Sequence, residues 1–298
     1  MKTLLLTGSN GFLGRNILPL LKKDYNVLTV DINNADINSD LSVEIPDIKT
    51  PANIVLHTAG KAHSIPKTEK EKQVFFDINY QGTINLCKAL ENNGLPKSFI
   101  FISTVAVYGL DFGKNITEEY PLLGNTPYAL SKIQAEKHLT DWCKKHNVEL
   151  SILRPSLIAG PNPPGNLGDM IKGIKSGRYL SIAGGKAQKS ILMIQDIANL
   201  IPLLEGKNGI YNICDNEQPS FRQLEKSIAK QLDKKALCNI PYWLAKPIAC
   251  IGDLFGKKAP INSLKLKKIT ESLTFSNEKA KKELGWKPLS VLDNFKIN

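Results

Sequence analysis

Paired cysteines are what this sequence most plainly lacks. The five it has, Cys87, Cys143, Cys214, Cys238 and Cys250, are odd in number, far apart and never in a C-x-x-C pair. That excludes a disulfide framework and a cysteine-based zinc site, and it fits a reducing compartment. No second histidine, cysteine or acid stands at ligand spacing from His57, so no metal is expected and His57 reads as a packed strand-end residue. A signal-peptide pattern is also missing, because Met1-Lys2 runs directly into an apolar strand, and the expected location is the cytoplasm. No stretch is long enough to span a bilayer. The apolar segment 240–255 is short and interrupted by Lys246, Pro247 and Asp253. Internal repeats, low-complexity tracts and nucleic-acid-binding motifs are absent, so nucleic acid is not expected as a partner.

Acidic residues are in short supply. There are 28 Asp+Glu against 39 Lys+Arg, a net charge of +11. Residues 222–298 hold 16 Lys+Arg and 7 Asp+Glu, or +9 of that excess. A basic quarter of this kind is a solvated surface, a site for an anionic substrate, or a contact with an anionic membrane. Residues 240–255, with Trp243, Leu244, Ile248, Ile251 and Leu254, read either as helices packed in a small domain or as a segment lying on a membrane beside that basic flank.

What is present is organised around Gly8, Gly11 and Gly14. They follow the apolar run Leu4-Leu5-Leu6 and precede a helical pattern of Phe12, Leu13, Ile17, Leu18 and Leu21. A strand, a glycine turn and a helix start form an anion site, because backbone N–H groups and the helix dipole face a phosphate there. A second strand, Asn26-Val27-Leu28-Thr29-Val30-Asp31, ends in an acid suited to a ribose and repulsive to a 2′-phosphate. That favours NAD over NADP. A short third strand lies within residues 36–41, and Asp40-Leu41, with Asp36-Ile37 as the rival, flanks the adenine. Asn53 to Gly60 forms a buried strand running into the small-residue loop Thr58-Ala59-Gly60.

Residues 98–104 make the next strand, expected to continue through Val105-Ala106-Val107-Tyr108-Gly109 and to carry Ser103 and Thr104 at its carboxyl end, where doubly wound sheets bind ligands. Tyr128 and Lys132 then share one face of a helix. An ammonium and an oxidised nicotinamide beside it pull a phenol down from about 10 toward neutrality, which suits Tyr128 to be a general base. The same spacing at Tyr242 and Lys246 is a chance match, without the Ser103-Thr104 strand before it. A sixth strand ends in Arg154-Pro155 before the proline- and glycine-rich residues 160–166. The alternation to this point predicts an α/β fold, a Rossmann-type doubly wound parallel sheet over residues 1–155. A return segment is expected near 190–213, and a smaller C-terminal α/β domain over 156–298 for the substrate. Beyond 155, Ile191-Leu192-Met193-Ile194 and Gly209-Ile210-Tyr211-Asn212-Ile213 read as strands, and Asp196 as a helix start.

Taken together, Gly8/Gly11/Gly14, Asp31, Asn79-x-x-Gly82-Thr83, Ser103-Thr104-x-x-Val107-Tyr108-Gly109, Tyr128-x-x-x-Lys132 and Arg154-Pro155 resemble the extended short-chain dehydrogenases, within them the NAD-dependent sugar epimerase/dehydratase family. The resemblance implies an NAD site made of Gly8, Asn10, Gly11, Phe12, Leu13, Gly14, Asp31, Asp40, Leu41, Thr58, Ala59, Gly60, Asn79, Ser103, Tyr128, Lys132 and Pro155. It implies Thr104, Tyr128 and Lys132 as the catalytic set. Thr104, Asn166 and Lys189 would hold a diphosphate-linked sugar, whose C4 is oxidised, rotated as a 4-keto sugar and reduced on its other face. Homodimers are common in the family.

Departures from the family pattern narrow the activity. Dehydratases of the family carry Thr-Asp-Glu where this chain has Thr104-Val105-Ala106, so no acid is in place to expel water. The Cys/His pair of deoxysugar epimerase-reductases is not visible. Lys189 stands where many epimerases have an arginine, and it meets phosphate as a point charge without a bidentate fork. Ile240-Pro241-Tyr242-x-Leu244, Gly256-Lys257-Lys258, Ser263, Lys267-Lys268 and Phe275-Ser276 resemble 4-epimerases of surface-polysaccharide assembly, some acting on polyprenyl-diphosphate-linked N-acetylglucosamine. A lipid-linked substrate would bring the basic C-terminal region to the inner face of the membrane. The leading expectation is an NAD-dependent sugar 4-epimerase. A 4-keto-sugar reductase using NAD(P)H and a non-catalytic NAD-binding regulator are the alternatives.

Overall fold

Successive residues of a strand point to opposite faces of its sheet, and in β1 (Thr3–Thr7) both faces are apolar. Leu4 and Leu6 enter one core while Leu5 enters the other. The same split divides Ile54 and Leu56 from Val55, and Ile100 and Ile102 from Phe99 and Phe101. A sheet with two dry faces needs helices on both sides, which parallel strands with crossover helices provide. The chain is seen in a computed structural model that describes residues 1–298 except 63, 235–237, 257, 258, 260 and 298. Lys257 and Lys258, quoted above, lie outside the described residues.

The elements run in order as β1, α1 (Phe12–Leu21), β2 (Asn26–Asp31), β3 (Ile37–Asn38), β4 (Ile54–His57), α2 (Glu69–Phe76), α3 (Gly82–Asn93), β5 (Ser98–Ile102), β6 (Gly113–Ile116), α4 (Pro127–His146), β7 (Glu149–Pro155) and β8 (Leu157–Ala159). Next come α5 (Gly165–Lys175), β9 (Ser181–Ile182), β10 (Ile191–Met193), α6 (Ile194–Leu200), β11 (Gly209–Ile213) and α7 (Phe221–Gln231). The last are β12 (Asn239–Ile240), α8 (Tyr242–Asp253), α9 (Ser263–Thr270), β13 (Leu273–Phe275), α10 (Glu278–Leu284) and α11 (Val291–Asn294).

Seven strands form one parallel sheet in the order β11-β7-β5-β4-β1-β2-β3. The order reverses beside β1, so the carboxyl ends of β1, β4 and β5 open onto the crevice where such sheets take ligands. On one face α1, α6 and α10 pack through Ile17, Leu21, Ile197, Leu200, Ala280 and Leu284. On the other, α3 and α4 pack through Leu86, Leu90, Ala135, Leu139 and Trp142. A separate core joins α5, α7 and α11 through Leu167, Met170, Ile174, Leu224, Ile228 and Val291. Three short parallel pairs, β8 with β10, β9 with β12 and β6 with β13, complete the C-terminal part.

Two expectations are corrected. The strand does not continue through residues 105–109. β5 ends at Ile102, and Val105–Tyr108 is a 3-10 turn. The cause is local: Thr104 Oγ1 accepts the N–H of Ala106 at 3.1 Å, and Gly109 closes the turn at φ 69°. In addition, Ile194 leaves β10 to start α6, two residues before Asp196. Among the described residues, no helix is long and apolar enough to cross a membrane.

Candidate functional site

The site begins at the turn after β1. Gly8 takes φ 72°, and a Cβ there would come 2.6 Å from the backbone nitrogen of Ala59 in the loop after β4. A Cβ on Gly14 would lie 2.1 Å from the carbonyl oxygen of Gly8, so only glycine lets α1 start against the turn. Gly11 caps α1 with no side chain, leaving the first-turn N–H groups of Phe12, Leu13 and Gly14 without an intrahelical or side-chain acceptor. Ser9 Oγ, in the same loop, is buried without a partner. Unfilled donors at a close-packed helix start fit a pyrophosphate.

Asp31 stands across this turn from the helix. Its Oδ2 accepts the N–H of Asn10 at 2.7 Å and its Oδ1 that of Ile32 at 2.8 Å, which aims a carboxylate beside the glycine loop. Asp36 is used elsewhere, accepting both the N–H and the hydroxyl of Thr29. Asp40 caps the following turn through Ser42, and Leu41 is buried with its carbonyl held by Asn85 Nδ2 at 2.8 Å. These groups fit NAD: donors for a pyrophosphate, an acid for a ribose, and a buried Leu41 wall.

The loop after β4 is tied down from three sides. Thr58 Oγ1 donates to Thr7 O at 2.6 Å, and Ala59 N to Thr7 Oγ1 at 3.2 Å. His57, fully buried, bridges Thr7 Oγ1 at 2.6 Å and Thr83 Oγ1 at 2.9 Å. Burial, with the Lys132 charge behind it, presses the imidazole down to about 3, so His57 is a neutral connector between β1 and α3. Asn79 completes the set. It sits in a π-turn, Asp77–Gln81, between α2 and α3. Its Oδ1 accepts Lys61 N at 2.7 Å, while its Nδ2 donates to Lys61 O at 3.1 Å and Ser131 Oγ at 2.9 Å. Asn79 thus clamps the loop carrying Gly60 to α4.

That clamp brings the two halves of the site together. A Cβ on Gly60 would reach Asn79 Oδ1 at 2.9 Å and Lys132 Nζ at 3.2 Å. Lys132 donates to Ile102 O, at the end of β5, at 2.8 Å and lies over the Phe101 ring at 4.6 Å. Burial holds its ammonium down to about 8, with the Glu136 carboxylate pulling the other way. Tyr128, one helical turn earlier, is pushed up by burial against an opposing pull from the Thr104 side chain. Lys132 is not among the groups acting on the phenol here; the lowering expected of Tyr128 needs the ammonium and an oxidised nicotinamide together. Thr104 itself is 9% exposed at the mouth of the 3-10 turn.

Beneath this layer lies a buried polar chain. Ser103 Oγ donates to Glu136 Oε1, and Arg154 donates from Nε and Nη2 to the two Glu136 oxygens at 3.0 and 2.6 Å. Arg154 Nη1 also meets Tyr108 Oη at 3.0 Å, and that hydroxyl donates to Asn212 Oδ1 at 2.7 Å. Glu136, Ser131 and Asn212 were not among the expected site residues. Glu136 was within reach, since Tyr128, Lys132 and Glu136 recur every four residues on one helix face. Asn212 carries no such signal.

Pro155 closes β7 opposite Ile213. Asn166 is exposed in the first turn of α5. Lys189 is half-buried, bridges to Leu273 and donates to Glu271 O at 3.0 Å; burial lowers its amine, with Asp111 pulling it back up. Among the described residues, no cluster of histidine, cysteine or acid could hold a metal ion.

Comparison with known proteins agrees with this geometry. UDP-glucose 4-epimerase of Vibrio cholerae is 30% identical, covering 98% of this chain and 92% of its own length. The N-acetyl-alpha-D-glucosaminyl-diphospho-ditrans,octacis-undecaprenol 4-epimerase of Escherichia coli O157:H7 is 28% identical over 92% of this chain and 87% of its own. GDP-6-deoxy-D-mannose reductase of Pseudomonas aeruginosa is 28% identical over 76% of this chain and 79% of its own. In fold, the chain matches UDP-N-acetylglucosamine 4-epimerase from Bacillus cereus at a TM-score of 0.76, with 19% identity and coverage of 99% and 96%. Residues 4–214 match the sequence model of the NAD dependent epimerase/dehydratase family, and the chain is a member of that family, an NAD-dependent enzyme of the extended short-chain dehydrogenase type.

Proposed function

We propose that this enzyme is a sugar 4-epimerase acting on a hexose or N-acetylhexosamine linked to a diphosphate. The observation that carries the reading is the company kept by Tyr128. The Thr104 side chain acts on the Tyr128 phenol, Lys132 donates to the Ile102 carbonyl at the end of β5, and the turn that follows Thr104 offers Val105 and Ala106 instead of acids. A hydroxyl pair with a buried amine moves a proton at a sugar O4; without a neighbouring acid it does not expel water across C5–C6.

In this reading Gly8, Asn10, Gly11, Phe12, Leu13, Gly14, Asp31, Asp40, Leu41, Thr58, Ala59, Gly60, Asn79, Ser103 and Pro155 hold NAD, which accepts and returns a hydride when bound. Thr104 orients the O4 hydroxyl and relays its proton. Tyr128 takes that proton as C4 becomes a ketone and gives it back after the 4-keto sugar turns over. Lys132, with NAD in place, sets the ribose and the charge beside Tyr128. Asn166 and Lys189 hold the diphosphate. The nucleotide-binding part spans residues 1–155 with a return near 190–213, and residues 156–298 hold most of the sugar-diphosphate site. A homodimer in the cytoplasm completes the reading.

The likeness to GDP-6-deoxy-D-mannose reductase supports a second reading, in which this chain is a 4-keto-sugar reductase drawing NAD(P)H from solution. Asp31 counts against it where the donor is NADPH, since its carboxylate would face a 2′-phosphate. Incubation with UDP-N-acetylglucosamine and, separately, with N-acetylglucosamine on polyprenyl diphosphate, followed by NMR of the products, tests both. Inversion at C4 with no added cofactor supports the epimerase. Oxidation of added NADPH on a 4-keto sugar, with no inversion, overturns it.

A further inference from the structure

Helix α8 is built inside out. It buries its small residues, Ala245, Ala249 and Gly252, at the i, i+4, i+7 positions that face α9, and there they pack with Leu266, Ile182, Ile240 and Ile261. A Cβ on Gly252 would strike the Ile261 carbonyl oxygen at 1.9 Å, so only glycine lets α8 approach the chain there. Its large apolar residues face outward. Trp243 is 70% exposed, Ile251 61%, and Leu254 and Phe255 just beyond the helix 84% and 67%. Tyr242, Leu244, Ile248 and, on α9, Leu264 extend the same surface. Scattered exposed apolar residues need no cause, but a contiguous face of this size marks a binding surface.

The charge around this face says what it fits. Among the described residues of 240–268 there are four lysines, Lys246, Lys265, Lys267 and Lys268, and a single acid, Asp253. Lys268 also pairs with Asp111 at 2.8 Å, and Lys267 lies over the Phe112 ring at 4.2 Å. Asp253 is occupied internally: its two oxygens accept the N–H and the hydroxyl of Ser263 at 2.9 and 2.6 Å, pinning α9 to α8. Asn239, three residues before α8, lines a cavity of about 480 Å³ whose wall carries Arg222, Lys226, Lys230 and Lys234 against Glu225 and Asp233. An apolar face set in a cationic surround complements the headgroup and upper acyl region of an anionic bilayer. A second copy of the chain complements it poorly, because a two-fold contact through the same patch would set these lysines against themselves. α8 spans twelve residues, too few to cross a bilayer, which leaves it lying in the interface plane.

We propose that α8, with Leu254 and Phe255, forms a membrane-docking surface for anionic phospholipid. Trp243, Ile251, Leu254 and Phe255 enter the interface, and the flanking lysines engage the headgroups. The surface holds the enzyme at the bilayer without a spanning segment.

Trp243 reports on this directly. The other two tryptophans, Trp142 and Trp286, are buried at 6% and 3% exposure, so a change in emission on lipid addition belongs to Trp243. The full-length protein is mixed with vesicles of phosphatidylglycerol and phosphatidylcholine, and with phosphatidylcholine alone. Tryptophan emission and co-sedimentation are followed in both. The expected result is a blue shift and pelleting with the anionic vesicles, with partition weakened about tenfold or more in Ile251→Asp and in Trp243→Ser. Near-UV circular dichroism unchanged in both variants excludes misfolding, as neither side chain packs in a core. Unshifted emission with no pelleting overturns the proposal. So does concentration-dependent dimerisation, by sedimentation velocity without lipid, that Trp243→Ser abolishes. No sugar is present in the assay, so its outcome is independent of the epimerase reading.

Discussion

Arg154 grips Glu136 with two prongs inside the protein, Nε to Oε1 at 3.0 Å and Nη2 to Oε2 at 2.6 Å, with the side chains only 3% and 5% exposed. Arg154 lies on β7 and Glu136 on α4, the helix that carries Tyr128 and Lys132. The pair therefore locks the depth and rotation of that helix against the sheet. Glu136→Gln leaves a buried guanidinium short of its counter-charge and is expected to cost about 3–5 kcal/mol of stability, read from urea unfolding. A double Glu136→Leu, Arg154→Met variant should recover much of that loss, because both desolvation costs go with the charges.

Removing the Tyr128 hydroxyl leaves the ring and its packing against Phe75, whose centroid is 6.3 Å away. Tyr128→Phe is expected to fold normally, to retain NAD through purification and to lower kcat by about 10²–10⁴. Turnover measured by product NMR, alongside cofactor content by absorbance, checks both halves.

Lys132 makes stability depend on pH in a stated direction. Burial lowers its folded value to about 8 from an ordinary 10.5. Between those values the unfolded chain holds a proton that the folded chain has released, so stability from this group rises with pH across that window. Below about 8 the full cost of burying the ammonium is present. Subtracting the unfolding free energies of Lys132→Met from those of the cofactor-free wild type cancels the other titrating groups. The difference should favour the wild type by about 3 kcal/mol more at pH 10.5 than at pH 8.

In the proposed site, Asp31 is the residue that discriminates between cofactors. With its carboxylate aimed beside the glycine loop by the N–H groups of Asn10 and Ile32, Asp31→Asn keeps an acceptor for a ribose and loses the negative charge. NAD should bind less tightly and NADP more tightly, narrowing the preference about tenfold or more. Titration calorimetry on stripped enzyme measures both affinities.

Lys189 is expected to act in binding. Its amine is half-buried against the Glu271 carbonyl, with Lys268 and Asp111 nearby. Lys189→Ala should raise KM for a diphosphate-linked sugar several-fold with kcat little changed, the mark of an interaction equal in ground and transition states. A selective loss in kcat would contradict that role.

Strand and helix periods were readable because they follow from local sterics and from which faces must be dry. β2 and β11 fall on the residues their patterns mark, and the reversal of strand order follows once β1 carries the glycine turn. The glycines were legible for the same reason: at Gly8 and Gly14 any side chain would strike backbone. The 3-10 turn after Thr104 was not, because the run Val105-Ala106-Val107-Tyr108 has strand composition, and one threonine hydroxyl capping Ala106 decides the matter.

The sequence by itself determined the chemical inventory: a glycine turn after the first strand, an acid at the end of the second, a tyrosine and a lysine one helical turn apart, and no acid after Thr104. Only the tertiary structure decided how that inventory is held. Asn79 ties a loop to a helix 52 residues away through Ser131. Arg154 and Glu136 lock that helix to the sheet, and the Lys132 amine turns to the Ile102 carbonyl. The tertiary structure also turned α8 outward, burying alanines and exposing a tryptophan, a choice that the sequence, readable as a packed or a surface-lying segment, left open. Each of these outcomes joins residues distant in the chain through desolvation and hydrogen bonding. Such energies exist only once the chain has folded, so no local pattern records them.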